Sequence, residues 1–93
     1  MHGEYKTPGG KLVVVDLNIQ DDQLSHVVVS GDFFLEPAEA LSQITQSIEN
    51  LPVTSTESEI AGRVRGSVGP GVEMIGFSPE AIARAVRRAI DER

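Results

Sequence analysis

The clearest pattern lies early in the chain. From Lys11 to Gln20 apolar and polar positions alternate, with Val13, Val15, Leu17 and Ile19 on one face and Leu12, Val14, Asp16 and Asn18 on the other. Successive side chains of a strand leave opposite faces, so period-2 alternation rich in β-branched residues predicts a half-buried strand. A short strand over Glu4-Tyr5-Lys6 precedes it, closed by Thr7-Pro8-Gly9-Gly10, where proline presets φ and the glycines accept positive φ. Asp21-Asp22-Gln23 reads as the next turn, and Leu24 to Ser30, through Val27, Val28 and Val29, as a third strand. Together they predict a three-stranded antiparallel meander.

The period then lengthens. Leu41, Ile44, Ile48 and Leu51 recur at three, four and three, one apolar stripe of a helix. Pro37 suits the first position of that helix, where an N–H is not needed, and Asn50-Leu51-Pro52 ends it. Thr56 and Glu59 form a capping box ahead of Ile60, Val64 and Val68, a second helix weakened by Gly62 and Gly66. Gly66 to Gly76 contains four glycines and Pro70 and reads as a loop. Ser78-Pro79-Glu80 opens a last helix with a cap, a first-turn proline and an acid favoured by the helix dipole, and Ile82, Val86, Ala89 and Ile90 form its stripe. Strands followed by helices predict an α+β fold: a sheet over 1–34 packed against about three helices over 37–93, in one domain of 1–93.

Composition narrows the function. A chain of 93 residues holds one modest core and no separate cofactor domain. The absence of cysteine excludes a disulfide framework, a thiol nucleophile, an iron–sulfur site and any cysteine-based zinc site. No apolar run approaches the roughly 20 residues a membrane helix requires. The opening Met-His-Gly-Glu-Tyr-Lys lacks the build of a signal peptide, so the expected location is cytoplasmic. Fourteen acids against eight bases give a net charge of −6, which argues against nucleic acid or an anionic membrane as partner. The charge is uneven: 1–60 hold ten acids and two lysines (2 − 10 = −8), while 61–93 hold four acids and six arginines (6 − 4 = +2). Halves that attract one another across the fold, or simply solvated faces, account for this.

No catalytic constellation is visible. His2 and His26 are far apart and bring no converging ligands, so no metal site is expected. Gly66 to Gly71 lacks the Gly-Lys-Ser/Thr that would place a lysine on phosphates, and no cofactor-binding residue is assigned. Arg84, Arg87 and Arg88 read as a solvated helix face, with Arg84 able to pair with Glu80 and Arg87 with Asp91 at i, i+4. What remains is Gly31-Asp32-Phe33-Phe34. Two adjacent phenylalanines do not both enter one core, so one is expected to plug the sheet–helix junction and the other to face a partner.

At this point the chain resembles a known family. Gly3-Glu-Tyr-Lys6, Pro8-Gly-Gly-Lys-Leu12, Val28-Val-Ser-Gly-Asp-Phe-Phe34 with its following Glu-Pro, and Ile75-Gly-Phe-Ser-Pro-Glu-Ala-Ile82 look like the C-terminal accessory domain of lipoate–protein ligases, which in some archaea is a separate small subunit. The resemblance runs from the first strand to the last helix. It implies a fold related to the iron–sulfur scaffold and sulfur-acceptor proteins, and a non-catalytic subunit whose larger partner makes lipoyl-adenylate. ATP, Mg and lipoate are expected in that catalytic subunit, and the lipoyl group then passes to a lysine of acyltransferase lipoyl domains or of the glycine-cleavage H protein. A cover that excludes water would protect the mixed anhydride. Phe33 and Phe34 are the expected docking edge, following Gly31, with Asp32 or Lys11 orienting it. The rival expectations are a cysteine-free adaptor in sulfur transfer or iron–sulfur assembly and a free-standing ligand-binding regulatory domain.

Overall fold

The computed structural model describes residues 1–92; Arg93, the last residue of the expected helical layer, lies outside the described residues. The meander is present as β1 (His2–Lys6), β2 (Leu12–Gln20) and β3 (Gln23–Gly31), antiparallel and in the order β1-β2-β3. The first strand starts two residues earlier than expected, because His2 pairs with Asp16 and extends the ladder. Asp21 and Asp22 turn β2 into β3 with φ of 55° and 61°, the two positive values a two-residue hairpin of the type I′ class requires.

On β2 the expected inner face holds: Val13, Val15 and Leu17 are buried, and Ile19 packs against the core. The third strand departs from simple alternation. Its register shifts opposite Leu17, where His26 and Val27 face one residue of β2, and His26 takes φ of 51°. This β-bulge resets the phase, so Leu24, Val27 and Val29 all turn inward while Val28 is left 55% exposed. The Glu49 carboxylate accepts from the Val27 N–H at 2.7 Å.

Three α-helices follow: α1 (Ala40–Ile48), α2 (Glu57–Ser67) and α3 (Pro79–Asp91). Pro37 is not the first helical residue. It follows a cis peptide bond in a turn, and α1 begins at Ala40, whose N–H reaches the Pro37 carbonyl at 3.1 Å. The capping box of α2 forms in both directions, Glu59 N–H to Thr56 Oγ1 at 3.1 Å and Thr56 N–H to Glu59 Oε1 at 2.9 Å. Glu59 consequently sits below the usual carboxylate range, held there by its bonds to Thr56. Ser78 caps α3 by accepting from the Ala81 N–H at 3.1 Å.

The segment expected to be a loop is half structured. Helix α2 runs on to Ser67, and Glu73–Ile75 forms β5, which pairs antiparallel with β4 (Phe34–Glu36). A second, two-stranded sheet therefore crosses the expected division between 1–34 and 37–93. Helix α3 lies over β1 and β2, α1 over β3, and α2 against α3 and α1. Beyond its expected stripe, α3 also buries Ala81, Ala83 and Ala85, which makes it the central helix. The seat is close: a Cβ on Gly3 would overlap the backbone of Ala85 and Ala89. Residues of both layers form one apolar core, from Val13 and Leu24 to Ile60, Val86 and Ile90.

The arginines of α3 are structural ties rather than a plain solvated face. Arg87 donates to the carbonyls of Val53 and Ser55 as well as to Asp91. Arg88 donates to the Glu4 carbonyl at 2.9 Å, and Arg84 and Arg88 both lie over the Tyr5 ring. Arg84 pairs with Glu57 at 3.2 Å, not with Glu80, because Glu80 is taken by Arg65 of the neighbouring helix.

Candidate interaction surface

The Gly31-Asp32-Phe33-Phe34 segment carries the chain from the large sheet to the small one. Gly31 closes β3 with φ of 150°, and a Cβ there would run into the Leu12 carbonyl, so the crossing requires glycine. Asp32 continues the ladder by donating its N–H to that carbonyl at 3.3 Å, leaving its side chain exposed. The two phenylalanines then separate. Phe33 turns in, partly buried against the core, and stacks on Phe77 with ring centroids 4.0 Å apart. Phe34 opens β4 and is 57% exposed.

Phe34 is not alone outside. Its partner in the β4–β5 register is Ile75, itself 53% exposed. Directly opposed side chains share one face of a sheet, so the two form an outward apolar pair. The next pair, Leu35 and Met74, packs against the core and anchors the small sheet. Lys11 reaches the same corner from the other side, since its N–H donates to the carbonyl of Gly76, the residue after Ile75, at 2.8 Å. The structure thus gathers Gly31, Asp32, Phe33, Phe34 and Lys11 around β4 and β5. Ile75 was not among the residues expected at the docking edge, because a three-residue strand carries no period and its partner lies about forty positions away.

Elsewhere the chemistry is sparse. His2 lies between Asp16, with Nδ1 at 2.8 Å from Oδ1, and Glu4, with Nε2 at 2.6 Å from Oε2. The hydrogen bonds to Glu4 and then Asp16 favour the imidazolium and raise its pKa above 6.5. His26 is exposed at the bulge. Among the described residues no group of three or more His, Asp or Glu side chains is arranged to hold a metal ion. Among them, too, no helix is long and apolar enough to cross a membrane.

No family model matches the chain, and no curated protein matches it. A solved structure does. The chain is similar to a chain from an archaeal lipoylation system of Thermoplasma acidophilum, a bipartite lipoate protein ligase and its E2 lipoyl domain, with a TM-score of 0.71 and 23% identity. The match covers 94% of this chain and 98% of that one. The two share a fold. That fold is the expected α+β arrangement, a three-stranded antiparallel sheet with three helices.

Proposed function

We propose that the chain is the accessory subunit of a lipoate–protein ligase, acting by docking on a separate catalytic subunit. The observation that carries this reading is the fold shared over 94% of the chain with a component of a bipartite ligase system. Sequence strings in the same order along the chain support it independently. ATP, Mg and lipoate belong to the catalytic subunit in this reading, and this chain contributes surface rather than chemistry.

The outward pair Phe34 and Ile75 supplies the docking edge. Phe33 holds that edge in place through Phe77 without itself meeting the partner, and Asp32 and Lys11 provide charged groups at its margin. Docking here would order the catalytic loops and keep water from the lipoyl-adenylate, whose anhydride bond water cleaves. The lipoyl group would then pass to a lysine of a lipoyl domain or the H protein.

The test is pyrophosphate release from ATP and lipoate by the cognate catalytic subunit, with and without this chain. The expected result is release that depends on both proteins. Equal release by the catalytic subunit alone overturns the proposal, and the shared fold would then reflect ancestry only.

A further inference from the structure

Between β3 and the first turns of α1 lies an open groove of about 370 Å³, lined by none of the arginines of α3. Val27, Val28, Val29, Ala38 and Leu41 give it an apolar floor. The one charged residue lining it is Glu39, and a second carboxylate, Glu49, lies nearby, bonded to the Val27 N–H. From Leu12 to Thr56 the sequence contains seven acids and not one lysine or arginine, so β2, β3, β4, α1 and their connections together carry an excess of negative charge. The bulge at His26 bears on the same place, since its phase reset leaves Val28 outward, 55% exposed, at the groove's edge.

We infer that the groove between β3 and α1 receives a basic segment of the catalytic subunit, one carrying an apolar side chain flanked by lysine or arginine. The inference rests on the accessory-subunit reading and adds to it a second contact, distinct from the Phe34–Ile75 edge. Charge complementarity selects the occupant: apolar walls take the anchor, and Glu39 with its acidic surroundings takes the flanking cations. A second copy of this chain is a poor fit. Each copy carries a net charge of −6, and Arg65, Arg84 and Arg87 are already paired within it. An anionic membrane is repelled by the same field.

The experiment measures binding of the full chain to the cognate catalytic subunit by calorimetry at low and high salt, for the parent, Val28→Lys, Glu39→Gln and Phe34→Ala. Val28 and Glu39 are exposed, so these substitutions leave the core alone, and thermal unfolding checks that they do. Val28→Lys is expected to weaken binding about tenfold or more at low salt, since it places a like charge against the basic segment. Glu39→Gln is expected to weaken it about three- to fivefold and to flatten its salt dependence, because a rim charge acts mainly through screened attraction. Parental affinity in both groove variants, with Phe34→Ala weakened, overturns the groove and leaves the accessory reading intact. If the parent fails to bind, both fall. Self-association of the chain that Val28→Lys abolishes would assign the groove to a second copy and also overturns the inference.

Discussion

Single positions in this protein do more than their composition suggests. Gly3 sits where no side chain fits, because β1 lies flush against the backbone of α3. Gly3→Ala is expected to destabilise the fold by about 1–3 kcal/mol, the usual cost of forcing a methyl group into filled space, measured by denaturant unfolding. His2 acts through charge instead. Its pKa is raised in the folded state by Glu4 and Asp16, so its pairing contributes stability at pH values below 6.5, and that contribution is lost as pH rises through the raised folded-state value. An NMR titration should place the His2 midpoint above 6.5, and Glu4→Gln should move it down; a midpoint at or below 6.5 would show that the two carboxylates do not act on it. Phe33 and Phe34 adjoin in sequence and differ in role. Phe33→Ala removes a stacked, partly buried ring and should cost about 2–3 kcal/mol. Phe34→Ala should change stability by less than about 0.5 kcal/mol, as exposed positions do, while weakening capture by the partner.

At the scale of elements, local signals were legible and long-range ones were not. The alternation of Val13, Val15 and Leu17, the capping box at Thr56 and Glu59, and the Ser78-Pro79 start of α3 each depend on residues within a few positions, and each forms as read. Pro37 misled because proline also suits turns, and here it precedes α1 by three residues. The inward set of β3 was hidden because a bulge inserts one residue that no period announces, exchanging Val28 for Val27 at the core. The β4–β5 pair was missed because neither strand exceeds three residues and their pairing is decided by the tertiary fold. Of the proposed surface, sterics alone made legible that one of Phe33 and Phe34 turns in, whereas which one it is, and the part of Ile75, became visible only through the fold and the register with Phe34. Ile75→Ala paired with Phe34→Ala gives a double-mutant cycle on partner binding. The two losses are expected to be less than additive, since the side chains share one face, and full additivity would separate them.

The whole molecule divides its charge by region. The acids of 12–56 sit on the meander, the small sheet, α1 and their connections, while the described arginines lie on α2 and α3 and are largely engaged. Such an arrangement gives a partner a preferred face of approach, and association with a basic subunit should slow as ionic strength rises past the range where the Debye length is about 10 Å. The close seat of Gly3 on α3 also governs how the protein is made. The strand β1 is covered by the helix α3, and their contact spans more than eighty residues. Contacts of that separation carry a large loop-closure cost and slow the search for the native state. During synthesis the apolar face of Val13 and Val15 therefore waits, uncovered, until α3 has left the ribosome. A chain arrested before Ser78 would present that face to chaperones.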